Sequence, residues 1–131
     1  MQVEHVDFVS FFTQDIARAK RFYSEVLGLE LESEGDGDME FRAGQVTLDI
    51  FDPSSIAPSE TPDSDGRIGQ TFAPSPAGMA LRVPDVDAAR AELEGLGVVF
   101  DGDTVQTSVC RMAFFKDPDG NALILHRRFD V

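Results

Sequence analysis

The sequence predicts an α+β fold: two tandem βαβββ units forming a cleft between curved mixed sheets. Three observations carry this. A capped amphipathic helix closed by glycine occurs twice, as Asp15…Leu27-Gly28-Leu29 and Asp85…Leu96-Gly97-Val98, about 70 residues apart. Short Val- and Phe-rich runs bounded by Gly, Asp and Pro flank both helices. The stretch Phe114–Leu125 places Asp117-Pro118-Asp119-Gly120 between two apolar runs, which is hairpin chemistry.

In chain order, residues 3–12 read as a strand in which Phe8, Ser10 and Phe12 share one face. Asp15 is a helix N-cap, and Ile16, Ala19, Phe22, Tyr23, Val26 and Leu27 follow helical spacing up to the stop at Gly28. Strands follow at Leu29–Glu34, Met39–Arg42 and Val46–Phe51. Residues 52–77, rich in Pro, Ser and acids, read as a long loop, with Ile56, Ile68 and Phe72 available to tack it down. The pattern then returns: a strand at Met79–Val83, a helix capped by Asp85 or Asp87 with Val86, Ala89, Leu93 and Leu96 on one face, and Gly97 as the stop. Val98-Val99-Phe100 starts a strand, Val105–Cys110 is a weaker region, and the closing hairpin strand runs from Asn121 to about His126. This is one domain over residues 1–131, with units at about 3–51 and 78–128. Each sheet must have a face covered, so the two units are expected to curl around a shared cleft.

Composition narrows the function. A formal net charge of −13, from 24 acids and 11 Lys and Arg, makes nucleic acid an unsuitable partner. The same charge favours encounter with cationic small molecules, although the acids cluster in turns such as residues 34–38 and 63–65, where they are solvated. No apolar run is long enough for a membrane span, and the N-terminus lacks the basic and apolar pattern of a signal peptide. Cys110 is the single cysteine, so no intrachain disulfide forms and a reducing cytoplasm fits.

The residues Asp15-Ile16…Arg21-Phe22-Tyr23…Val26-Leu27-Gly28-Leu29, Ala80-Leu81-Arg82-Val83-Pro84-Asp85-Val86 and Phe114…Asp117-Pro118-Asp119-Gly120-Asn121 resemble the vicinal oxygen chelate superfamily. That superfamily holds glyoxalases, extradiol dioxygenases, fosfomycin-modifying enzymes and bleomycin-resistance proteins. Its metal-dependent members chelate two adjacent substrate oxygens on a divalent ion held by His and carboxylate side chains. The resemblance places those four ligand positions on Phe8, Asp49, Gly78 and Ile124, three of which cannot bind a metal. His126 shares a strand face with Ile124, whereas His5 has the wrong parity for the Phe8 face. Asp49 and a displaced His126 supply at most two ligands, so no metal and no cofactor is expected.

The resemblance and the residues together imply a metal-free binding protein. Its cleft, lined by Phe8, Ser10, Phe12, Asp49, Phe51, Arg82, Ile124 and His126, would hold an aromatic or amphipathic small molecule, with a cationic group as one option. Bleomycin-resistance proteins are the superfamily's precedent for such an acidic sequestering homodimer. Asp49, if buried beside Phe8 and Ile124, must protonate or find a partner, for which Arg82 and a cationic ligand group are the candidates, unless it reaches solvent at the cleft rim. Two enzymatic readings stand beside this: a metal-dependent lyase or dioxygenase with atypical ligands, and a metal-free enzyme using Asp49 or His126 as base. Cys110 beside Arg111 reads either as an activated thiol or as a small buried apolar residue.

Overall fold

A computed structural model of the protein describes residues 1–55 and 71–129. The chain divides into two units, Met1–Pro74 and Ser75–Val131, and each repeats the same order of elements. Both are βαβββ, so the α+β class and the tandem repeat are present as the sequence predicts.

In the first unit the strands are β1 (Phe8–Phe12), β2 (Glu30–Glu34), β3 (Asp38–Ala43) and β4 (Val46–Phe51). Their order across the sheet is β1-β4-β3-β2, with β1 parallel to β4 and the other pairs antiparallel. The strand expected from Val3 begins only at Phe8. The register explains this: Phe8 lies opposite Thr47, near the start of β4, so residues 3–6 have no neighbouring strand however high their β-propensity. They are exposed, and His5 pairs with Asp7 at 2.8 Å on the surface.

Asp15 caps the helix as expected, its carboxylate accepting the backbone N–H of Arg18 at 3.0 Å. Helix α1 (Ile16–Arg21) then widens into a π turn over Phe22–Val26, where Leu27 N–H reaches the Phe22 carbonyl at 3.0 Å. The wide turn buries two successive aromatics, Phe22 and Tyr23, with ring centroids 5.2 Å apart. Gly28 adopts φ +71 just beyond the helical segment, the left-handed conformation that glycine tolerates. Tyr23 packs on Phe41 of β3 at 5.6 Å, and Phe11, Met39, Phe41, Leu48 and Ile50 complete the apolar layer on that face of the sheet.

In the second unit β5 (Met79–Arg82), β6 (Val105–Gln106), β7 (Cys110–Lys116) and β8 (Ala122–Arg128) repeat the order as β5-β8-β7-β6, with β5 parallel to β8. Of the two capping candidates the structure selects Asp85, which accepts Ala88 N–H at 3.0 Å and starts α2 (Val86–Gly95). Val86 and Leu93 are buried, Ala89 is half-buried and Leu96 is exposed at the helix end. Phe100, Ala113, Phe115, Leu123 and Leu125 are buried with them.

Two expectations are corrected here. Val98–Phe100 does not form a strand: Phe100 makes a single bridge to Phe115, and Val99 is 83% exposed. Arg90 of α2 pulls the following loop back, donating to the Gly102 carbonyl and to Thr104 Oγ1, both at 3.0 Å, while its guanidinium lies 4.7 Å from the Phe100 ring centre. The strand slot is filled instead by the two residues of β6, and Thr107 turns the chain into β7 by accepting the N–H groups of Val109 and Cys110. The last strand also runs two residues past His126, so His126 sits inside β8 and not at a frayed end.

The closing turn forms as predicted and carries a further function. Asp117 Oδ1 accepts the N–H groups of Asp119 and Asn121, each at 2.9 Å, and Gly120 takes φ +89. Asn121, fully buried, donates Nδ2 to Asp117 Oδ2 at 2.8 Å and accepts Ser75 N–H on Oδ1 at 2.8 Å. Ala122 N–H meets the Ser75 carbonyl at 2.9 Å, so the turn pins the segment that leads into β5. Of the residues expected to tack down loop 52–77, Phe72 is half-buried, while Ile56 and Ile68 lie outside the described residues.

Candidate functional site

Strand alternation gives each sheet a second face, away from its helix. In the first unit that far face carries Phe8, Ser10 and Phe12 from β1, Thr47, Asp49 and Phe51 from β4, and Glu40 from β3. Ser10 and Asp49 are direct register partners, and the Ser10 hydroxyl donates to Asp49 Oδ2 at 2.9 Å. Asp49 is only 2% exposed. Removing a carboxylate from water requires hydrogen bonds to it, and the neighbouring strand supplies one. Phe12 and Phe51 lie opposite each other with ring centroids 6.1 Å apart, and Phe8 is 52% exposed. The arrangement sets the aromatic rings of Phe8, Phe12 and Phe51 around a buried polar pair, Ser10 and Asp49.

Near the edge strand of this sheet, Arg42 grips Glu32 with two nitrogens, Nε to Oε1 and Nη2 to Oε2, the latter at 3.0 Å. The hydrogen bond and the charge of Glu32 raise the guanidinium pKa further above its ordinary value. Arg42 is therefore committed to a structural pair.

In the second unit the far face carries Ala80 and Arg82 from β5, Ile124, His126 and Arg128 from β8, and Met112 and Phe114 from β7. Arg82 and His126 are register partners, with Arg82 exposed and His126 half-buried. The pairing of Arg82 with Asp49 expected from the sequence would join the two units, and within its own unit Asp49 is met by Ser10, which the sheet places opposite. Cys110 is buried with its Sγ 3.4 Å from Thr107 Oγ1, the small buried residue of the two readings.

Sequence reasoning missed Glu40, Thr47, Met112 and Phe114. All four follow once the hairpin registers are known, because Glu40 faces Asp49, Thr47 faces Phe8, Met112 faces His126 and Phe114 faces Ile124. Parity within one strand was legible, but the pairing between strands was not.

Phe8 and Ile124 carry hydrocarbon, and Gly78 carries no side chain. At Gly78 the backbone has φ +89, and a Cβ built there would lie 3.1 Å from Ile124 Cδ1. A side chain at position 78 would thus crowd the end of Ile124, which would have to give by a few tenths of an ångström. Among the described residues no group of three or more His, Cys, Asp or Glu side chains could hold a metal ion. Of the four positions that the resemblance implies, only Asp49 offers a metal-binding group.

Comparison with known proteins accords with the fold. The chain is 32% identical over 136 residues to "Uncharacterized protein YaeR" of Escherichia coli (strain K12), covering 97% of this chain and 96% of that protein. A lactoylglutathione lyase from Agrobacterium tumefaciens shares the fold with a TM-score of 0.76 at 21% identity, over 96% of this chain and 95% of that one. TnmS3, an antibiotic binding protein from Streptomyces sp. CB03234, matches with a TM-score of 0.74 at 29% identity, over 98% and 99%. The Glyoxalase/Bleomycin resistance protein/Dioxygenase superfamily model matches residues 3–125, and the chain belongs to that superfamily.

Proposed function

We propose that this protein binds and sequesters an aromatic or amphipathic small molecule without a metal ion. The reading rests on the residues that the resemblance sets at three ligand positions, Phe8, Gly78 and Ile124, none of which offers a metal-binding group, and is supported by the Ile124 side chain crowding position 78. An aromatic floor of Phe8, Phe12 and Phe51 around Ser10 and Asp49 supports it, as does the likeness to an antibiotic binding protein. Burying an aromatic ring contributes roughly 1.5–3 kcal/mol, so micromolar affinity needs several such contacts together with a fitting shape.

The test is a thermal-shift and fluorescence screen of untagged protein against aromatic natural-product antibiotics, with metal analysis of the same sample. We expect saturable micromolar binding of at least one compound, less than one divalent ion per chain, and about tenfold weaker binding in Phe8→Ser. One tightly held divalent ion per chain that binding requires would return the protein to the metal-dependent members.

The same reading includes a homodimer in the cytoplasm. Its support is the four edge strands, β1 and β2 of one sheet and β5 and β6 of the other, which leave backbone hydrogen-bonding groups for a partner to cover. Light scattering at micromolar concentration is expected to give twice the chain mass of 14.3 kDa, and a monomer would overturn the dimer.

A further inference from the structure

The two sheets divide the charge of the chain between them. Strands β1–β4 contain six carboxylates (Glu30, Glu32, Glu34, Asp38, Glu40 and Asp49) and one base, Arg42. Strands β5–β8 contain no carboxylate and five bases: Arg82, Arg111, Lys116, Arg127 and Arg128, with His126 among them. A chain with 24 acids and 11 bases has carboxylates to spare for every cation. Five of the described bases take one: Lys20 meets Glu34, Arg42 meets Glu32, Arg90 meets Glu94, Arg111 meets Asp87 and Lys116 meets Asp101.

Of the described bases with no ion pair, two share one corner, while Arg21 stands exposed at the end of α1. Arg82 and Arg128 make no ion pair among the described residues, and both lie on the far face of the second sheet with His126 between them. Arg82 is opposite His126, and Arg128 is two residues further along the same strand, roughly 6–7 Å at strand rise. Arg127 alternates to the helix side, where Arg111 already holds Asp87. Next to this cationic end, the same face turns apolar through Met112, Ile124 and Phe114, all half-buried.

From this segregation we infer that the far face of the second sheet is an anion-reading surface. Arg82, His126 and Arg128 take the carboxylate, sulfonate or phosphate of an amphipathic ligand, and its apolar body lies on Met112, Ile124 and Phe114. The inference rests on the binding function proposed above and narrows its ligand class. It runs against the net charge, which by itself would select a cation. Guanidinium groups suit the role because their planar donors match oxyanions in two-point contact.

Two dyes with the same aromatic skeleton separate the charge from the ring. 8-Anilinonaphthalene-1-sulfonate carries the anion, and N-phenyl-1-naphthylamine lacks it. Fluorescence titration of the full chain is expected to give tighter binding of the sulfonate. In Arg82→Gln/Arg128→Gln the sulfonate should weaken about tenfold, the scale of one charge-assisted contact, while the neutral dye is unchanged. Arg21→Gln, which removes an exposed cation from the end of α1, should alter neither dye. Added salt should weaken only the sulfonate.

Equal or weaker binding of the sulfonate than of the neutral dye by the wild-type protein overturns the anion surface and leaves the aromatic-binding function standing. Parallel loss of both dyes in the double variant, or an equal loss of the sulfonate in Arg21→Gln, also overturns it. Binding of neither dye by folded protein overturns the anion surface and the aromatic-binding function together.

Discussion

Replacing Asn121 with Ala is expected to destabilise the protein by about 3–4 kcal/mol, the largest effect of any polar substitution in the second unit. Asn121 has no solvent exposure, and its amide joins two chain segments that are 46 residues apart in sequence. Truncation leaves Asp117 Oδ2 without its amide donor and strips the acceptor from Ser75 N–H. Buried groups deprived of partners keep their desolvation cost, about 1–3 kcal/mol each. The midpoint of thermal unfolding should fall by roughly 10–15 °C for a chain of this size. Asn121→Asp preserves the shape but sets a second carboxylate 2.8 Å from Asp117, so it should not rescue. Urea denaturation showing less than about 1 kcal/mol for the Ala variant would mean that the turn holds without its amide.

Tyr23→Ala is the counterpart in the first unit, with an expected cost of about 3–5 kcal/mol. Tyr23 has no solvent exposure and lies between Phe22, edge to face at 5.2 Å, and Phe41 at 5.6 Å. Deleting the ring removes both aromatic contacts and leaves a cavity against a sheet that cannot fully collapse into it. Hydrogen exchange should show the loss first in β3 and β4, which carry Phe41, Leu48 and Ile50. Protection in these strands unchanged from wild type would count against the central place given to this ring.

How far the sequence could be read follows from how local each signal is. Helix caps, the glycine stops at Gly28 and Gly97 and the Asp-Pro-Asp-Gly turn depend on neighbours a few residues away, and each appears where the residues place it. The Val98–Phe100 strand failed because Arg90, ten residues earlier than Phe100, binds the loop that follows it. The start of β1 failed for the same reason in reverse: residues 3–6 have strand character and no strand to join. The shared face of Phe8, Ser10 and Phe12 was legible from alternation and Asp49 from the resemblance, whereas the Ser10 to Asp49 hydrogen bond follows only from their register. The π turn at Phe22–Val26 has no pattern that distinguishes it from an ordinary helix end, since Phe22 and Tyr23 fit helical spacing.

The parallel pairings set an order of events for folding. In each unit the first strand lies beside the last, Phe8 opposite Thr47 and Met79 opposite Leu123, whereas β3–β4 and β7–β8 are joined by short turns. Closing a short hairpin takes microseconds, while bringing together residues about forty positions apart first costs the entropy of the intervening chain. The hairpins therefore form as templates, and β1 and β5 dock onto them late. In the second unit the landing place of β5 is marked beforehand, because the backbone groups of Ala122 and the Asn121 amide that receive Ser75 belong to the finished hairpin. A defect in that turn should thus slow the arrival of β5 more than it speeds its departure, and would register in the refolding rate.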